Sequence, residues 1–263
     1  MQPRTSSRLN HAIMSQSLKF AYFGTPHVAA ETLERLIGAG FIPTLVVTSP
    51  DAPRGRGQVL TPSETKTVAL PHDLPTLTPE KLNEATISMI SSYDCDYALV
   101  VAYGKIFPTA LIEAFPKGAL NVHYSLLPKY RGATPMEAAL LAGDEETGVT
   151  IQQMALALDA GDILAQEATS IGPEETAREL RPRLIELGVA LLIDTLPQFE
   201  HGEIRPRSQE HMLASRACKL KKEDGLLDLP VGGQAAAQQH LENWRTYRAY
   251  TDTIGTYFFK DGM

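Results

Sequence analysis

Asn121-Val122-His123-Tyr124-Ser125-Leu126-Leu127-Pro128-Lys129-Tyr130-Arg131-Gly132 closes a hydrophobic run, Ala119–His123, and then turns at a proline. Side chains two apart on a strand share a face. Asn121 and His123 therefore aim together while Val122 faces the other way. An amide donor beside an imidazole suits the holding of a developing oxyanion and the movement of a proton. The pair sits at the carboxyl end of its strand, which is where open parallel sheets bind ligands. Asp159 is the natural third member, ending a further strand and leading a glycine-containing turn, Leu158-Asp159-Ala160-Gly161-Asp162. A plain turn aspartate is an equal reading of that residue, and Asp162 competes with it in the same turn.

Outward from this stretch, apolar runs alternate with helical patterns. Leu18–Gly24, Ile42–Thr48, Tyr97–Tyr103 and Ala119–His123 read as strands, with helices at Val28–Ile37, near Thr109–Phe115 and at Met136–Ala142. Strands alternating with helices predict an α/β fold, a Rossmann-like open and mainly parallel sheet covered by helices on both faces. Thr150–Met154 and Ile163–Ala168 read as a strand pair around the Asp159 turn. Glu174–Phe199 is the longest helical pattern, with acidic residues in its first turn, where they suit the helix dipole. An interior proline costs roughly 3 kcal/mol, so Pro182 predicts a kink or a helix that begins near Arg183. Gln234–Tyr250 reads as an amphipathic helix and Thr256–Phe259 as a strand. The segment from Ser49 to Gly57 carries two prolines, two glycines and two arginines, Arg54 and Arg56, and reads as an exposed loop.

Composition bounds the class. The chain has 263 residues, 43% hydrophobic and 21% charged, with a formal net charge of −7. This is the make-up of an ordinary globular protein, and the charge argues against a coat for nucleic acid while leaving room for a local basic patch. No apolar run is long enough to span a bilayer. Cys95 and Cys218 lie far apart without CxxC spacing and read as two reduced thiols. Met1–Ser17 is polar, lacks an apolar centre and is expected to be a disordered leader, or a stretch upstream of a working start at Met14. A cytoplasmic address follows by default.

Other motifs carry less. Phe23-Gly24-Thr25-Pro26 lies where a phosphate loop would sit, but it has neither the Walker lysine nor the glycine spacing of a dinucleotide fingerprint. Ser125 has no nucleophile elbow around it. His11, His27, His72, His201, His211 and His240 show no metal-ligand spacing, and no metal is expected.

The Asn121–Gly132 stretch resembles the signature of the folate-dependent formyltransferases. That resemblance covers roughly Leu18 to Leu229. It implies a catalytic set of Asn121, His123 and Asp159, the last preferred to Asp162 because the matching aspartate leads the Asp-x-Gly turn. It implies 10-formyltetrahydrofolate as cosubstrate, with Ser125, Leu126, Leu127 and Pro128 and the loop Gly104, Lys105, Ile106 and Phe107 as folate-binding segments. Phe23–Pro26, the loop Asp51–Gly57 and Val100–Pro108 are most similar to the branch whose acceptor is methionyl initiator tRNA. On that likeness Arg54, Arg56 and Arg131 are expected to contact the tRNA acceptor stem. Tyr124 departs from the pattern, which usually has a small residue beside the histidine. The family's C-terminal β-barrel is represented only by Gly255–Lys260, which resembles its first strand, so the domain expectation is a leader (1–17), a catalytic domain (18–204), and a linker, helix and barrel remnant (205–263).

The chemistry implied is direct acyl transfer through a tetrahedral intermediate. The methionyl α-amine attacks the formyl carbon, Asn121 donates to the oxyanion, His123 assists proton movement, and Asp159 holds the imidazole and relays the proton. A monomer is expected. The rival readings are a formyltransferase for a sugar-nucleotide or glycinamide ribonucleotide amine, and a folate-binding module without activity. An NAD-dependent oxidoreductase fails for want of a glycine fingerprint.

Overall fold

The computed structural model describes residues 18–228 and 234–259. The leader expected at 1–17 lies outside the described residues. The first strand, β1 (Phe20–Gly24), is entirely buried, and helix α1 (His27–Gly38) follows after Pro26, which occupies its N-cap. Strand β2 (Leu45–Val47) is shorter than the run Ile42–Thr48, because Ile42 points to solvent. A small antiparallel hairpin, β3 (Ala52–Arg54) and β4 (Val59–Thr61), replaces the expected loop. Pro53 is tolerated in it because its strand is an edge. Lys66 of helix α2 (Glu64–Ala69) holds the base of the hairpin through Asp51 at 2.7 Å.

Strand β5 (Thr76–Leu77), helix α3 (Glu84–Ser91), strand β6 (Tyr97–Val101) and helix α4 (Thr109–Glu113) lead to β7 (Ala119–His123). After β8 (Arg131–Gly132) and α5 (Pro135–Ala142) come the long strands β9 (Glu146–Gln153) and β10 (Ile163–Ser170). The main sheet has seven strands in the order β10-β9-β7-β6-β1-β2-β5. The five strands from β7 to β5 are parallel, whereas β9 runs antiparallel to both its neighbours. The sheet is thus mainly parallel, as the alternation predicts.

Strands β1, β2, β6 and β7 send alternate residues to two separate cores. Phe20, Tyr22, Leu99, Leu120, Val122, Val149 and Ile151 join the larger core with Leu33 and Leu36 of α1 and with helix α6 (Ala177–Glu200). Ala21, Phe23, Ala98, Val100 and Ala119 join the smaller one with Ile90 and Leu111. Helices therefore cover both faces.

The long helix and the C-terminal run also depart from expectation. Helix α6 starts at Ala177, well before Pro182, and continues through it. Thr176 closes a reciprocal capping box with Glu179, which bonds both the backbone N–H and the hydroxyl of Thr176. That satisfied first turn, together with the burial of Leu180 and Leu184, offsets the proline cost. The run Thr256–Phe259 forms no strand; Tyr257 makes an isolated parallel bridge to Leu226. Helix α7 (Gln234–Tyr250) is present as predicted, after the short strand β11 (Arg216–Ala217), which pairs with β8.

Candidate active site

Asn121 and His123 lie on the β7 face that continues the smaller core, while Leu120 and Val122 are seated in the larger one. Asn121 stands between Val100 of β6 and Gln152 of β9 in the ladder. It is half-buried, and among the described residues its side-chain amide has no hydrogen-bond partner. A donor at a strand end is thus left uncommitted.

His123 is only 4% exposed. Its Nε2 meets the carbonyl oxygen of Tyr130 at 2.9 Å. A carbonyl can only accept, so Nε2 carries the hydrogen and, in the neutral ring, Nδ1 is a lone pair. Burial holds the imidazole below its ordinary pKa, against the opposing pull of Asp159 and the Tyr130 carbonyl. Nδ1 faces Asp159 Oδ2 at 3.7 Å, beyond hydrogen-bond length. A lone pair and a carboxylate oxygen thus face each other across a gap that accepts a proton brought by a third group.

Asp159 does not end a strand. β9 stops at Gln153, and Asp159 lies in the loop beyond it with φ +48. A non-glycine residue there is strained and persists only where its surroundings fix it. Oδ2 accepts from the Gly132 N–H at 2.8 Å and Oδ1 from Gln152 Nε2 at 3.0 Å. Two glycines permit this packing. A Cβ on Gly161 would fall 1.7 Å from the Gln153 carbonyl oxygen, and one on Gly132, at φ +131, would fall 2.1 Å from that of Ala217. Tyr130 is also left-handed, at φ +60, and its carbonyl is the one that receives His123. Asp162 turns elsewhere and accepts from the Ser208 hydroxyl at 3.0 Å.

Ser125 to Pro128 are shaped from within. Ser125 Oγ donates to the Lys129 carbonyl at 2.7 Å, and the Thr150 hydroxyl donates to the Ser125 carbonyl at 2.6 Å while receiving the Leu127 N–H at 3.2 Å. Gln166 Nε2 reaches the Leu127 carbonyl at 3.0 Å. Leu127 is buried, Leu126 and Pro128 are partly so, and the Leu127–Pro128 peptide is cis. In the loop after β6, Gly104 has φ +82 and Lys105 Nζ donates to the Pro79 and Glu80 carbonyls. Phe107 stacks edgewise on Phe23 at 4.9 Å, while Ile106 is 92% exposed.

The three arginines differ. Arg56 is exposed, and among the described residues it makes no ion pair. Arg54 pairs with Glu64 at 3.2 Å. Arg131 is half-buried, and its Nε and Nη2 both reach Gln209 Oε1, while Nη2 also meets His211 Nδ1 at 3.0 Å. Tyr124 is accommodated away from the reactive face. Its hydroxyl meets Thr32 at 3.3 Å, and its ring runs along Gly188 of α6, where a Cβ would lie 3.6 Å away.

Sequence reasoning missed Gln152 and Gln209. Gln152 left a trace, since Thr150 and Gln152 share one face of a strand whose Val149 and Ile151 are apolar. Gln209 left none, being drawn in from a segment that reads as a linker. Among the described residues no group of three His, Cys, Asp or Glu side chains could hold a metal, and no helix is long and apolar enough to cross a membrane.

A mainly parallel sheet with helices on both faces is the fold of the formyl transferases, and the family so described matches residues 18–196. A methionyl-tRNA formyltransferase from Citrifermentans bemidjiense is 40% identical over 245 residues, covering 93% of this chain and 75% of that protein. Another, from Koribacter versatilis, is 42% identical over 244 residues, covering 90% and 77%. The fold is shared with an N-formyltransferase from Helicobacter canadensis solved with folinic acid and dTDP-3-aminofucose, at 18% identity and TM-score 0.67, covering 93% of this chain and 85% of that one. The chain belongs to the methionyl-tRNA formyltransferase family.

Proposed function

We propose that the chain transfers the formyl group of 10-formyltetrahydrofolate to the α-amine of methionyl initiator tRNA, with Asn121, His123 and Asp159 as its catalytic residues. The observation that carries the chemistry is the facing pair of His123 Nδ1 and Asp159 Oδ2 beside an unpaired amide. The 40% identity to methionyl-tRNA formyltransferases along nearly the whole chain supports the acceptor.

The amine nitrogen forms a bond to the formyl carbon, and the carbonyl electron pair moves to oxygen, where the Asn121 N–H receives it. An α-amino group has a pKa of about 7.7–8.0, so its proton leaves at small cost into the gap between His123 and Asp159. Collapse of the intermediate breaks the bond to N10, and that nitrogen takes up a proton. The products are a formamide and tetrahydrofolate; the proton that N10 takes up is the one shed by the attacking nitrogen, and the proton lost from the ammonium form is released to solvent. Neutral His123 suits this role because a ring already protonated at both nitrogens could not receive the proton.

Ser125, Leu126, Leu127 and Pro128, with Gly104, Lys105, Ile106 and Phe107, form the folate-binding walls in this reading. Their hydrogen bonds are largely turned inward, so they act by shape and apolar surface. Arg54, Arg56 and Arg131 supply positive charge toward the acceptor stem. Residues 18–204 serve as the catalytic domain, with the linker and the helix Gln234–Tyr250 following it. The protein works as a monomer in the cytoplasm.

The test is formyl transfer from 10-formyltetrahydrofolate to charged initiator tRNA, to an amino-sugar nucleotide and to glycinamide ribonucleotide, each offered separately. Transfer to the tRNA alone is expected. Transfer only to a small amine would replace the acceptor, and transfer to none would remove the activity.

A further inference from the structure

Gln209 lies 50 residues beyond Asp159 and is 6% exposed. Every hydrogen-bonding position of its amide is used. Oε1 accepts from Arg131 Nε at 3.1 Å and Nη2 at 2.6 Å. Nε2 donates to the carbonyl oxygens of Asp159 at 2.9 Å and Gly161 at 2.7 Å, with Gln152 Oε1 at 3.4 Å beside it. Among the described residues these two carbonyls have no other donor. The amide therefore clamps both ends of the turn Asp159-Ala160-Gly161, and the guanidinium fixes which way the amide points. A glutamine whose oxygen is claimed by two cationic N–H groups cannot flip, so its NH2 group is directed at the turn.

The turn needs such a clamp. Asp159 sits at φ +48 without being glycine, and its carboxylate must stay aimed at His123 across 3.7 Å. The Gly132 and Gln152 bonds hold the carboxylate oxygens, but neither holds the backbone from which the side chain springs.

We propose that Gln209, oriented by Arg131, is a positioning residue that fixes the Asp159 carboxylate against His123. This rests on the reading of Asp159 as catalytic. It assigns Arg131 a task inside the protein in addition to the charge it presents outward, and it makes the segment after residue 204 part of the active site.

The test is a double-mutant cycle read by single-turnover formyl transfer to charged initiator tRNA with the full chain. In the wild-type background, Gln209→Ala is expected to lower the rate of the chemical step roughly 10–100-fold, the scale of a misplaced reacting group. The KM for the formyl donor should stay within about twofold, because a mispositioned carboxylate does not touch ground-state binding. In an Asp159→Ala background the same substitution should cost less than about twofold, because there is no carboxylate left to misplace. Gln209→Glu, which keeps the acceptor for Arg131 but turns oxygen toward two carbonyls, should behave like Gln209→Ala. It carries the cycle if the alanine variant fails to fold. An equal loss in both backgrounds would show a general structural role and overturn the proposal, as would an unchanged rate in the wild-type background. Full activity of Asp159→Ala itself would overturn the catalytic reading instead, which the single variant distinguishes.

Discussion

Replacing Asn121 by alanine separates chemistry from folding. The side-chain amide has no partner within the described protein and is half-buried, so its removal orphans no buried group and breaks no hydrogen bond. The backbone of residue 121 keeps its ladder position between Val100 and Gln152. The folding cost is therefore expected at about 1 kcal/mol or less, the range of substitutions that open no cavity and strand no polar atom. The kinetic cost is of another order. Loss of one oxyanion donor typically removes about 2.7–4 kcal/mol of transition-state stabilisation, or roughly 100–1000-fold in kcat. Asn121→Asp has the same shape but presents oxygens in place of the donor and adds a charge near Asp159, so it should fall further still. The assay is rapid-quench formyl transfer to charged initiator tRNA, with folate affinity measured by calorimetry on the same preparations. Folate binding should persist in both variants. A rate for Asn121→Ala within threefold of wild type, in a protein of unchanged melting temperature, would refute the assignment of the oxyanion to this amide.

Other outcomes follow from the same geometry. His123 is held below its ordinary pKa, so the unfolded chain binds its proton first as pH falls. Above about 6.5, the unfolded value, both states are neutral and the residue contributes no slope. Below it the native state loses up to about 1.4 kcal/mol per pH unit until the folded ring titrates. The difference in stability between wild type and His123→Gln, followed by denaturant melts from pH 7 to 5, should show this slope, and a flat difference would contradict it. Gly161→Ala would place a methyl 1.7 Å from the Gln153 carbonyl oxygen, so the Asp159 turn must move. About 1–3 kcal/mol of stability should be lost, and kcat should fall at least as far as in Gln209→Ala. Arg54→Ala with Arg56→Ala should raise the KM for charged tRNA while leaving kcat at saturating tRNA unchanged. The slope of log affinity against log salt should become shallower by about one for each phosphate that is no longer neutralised. Burial pushes the Cys95 thiol up to about 11, whereas Cys218 is exposed. A thiol reagent at pH 8 should therefore modify Cys218 quickly and Cys95 only on unfolding.

What the sequence disclosed was whatever a short window decides. The period-two pattern of Ala119–His123 set Asn121 and His123 on one face, and the alternation of apolar runs with helical patterns set a mainly parallel sheet. Long-range effects were hidden. The positive φ of Asp159 depends on a glutamine fifty residues away and on the backbone of β8, neither of which leaves a local mark. Pro182 looked like a helix boundary because propensity weighs a residue alone, while the capping box and the buried leucines around it override that cost. The segment around Arg54 looked structureless because its hairpin is held by Lys66 and Glu64 from the following helix. Two-residue strands such as β5 are too short for any periodicity to register.

The division of labour across β7 has a consequence for how such a protein can change. One ribbon of five residues carries anchors on its underside and the proposed reactive groups on its upper side, so its phase is locked. A one-residue insertion between Gly118 and Ala119 would rotate all five side chains at once, driving an amide and an imidazole into the oily layer and lifting leucine and valine into the cleft. Peripheral loops can be lengthened or traded without that penalty, whereas the spacing within this ribbon is fixed by folding and by the proposed chemistry together.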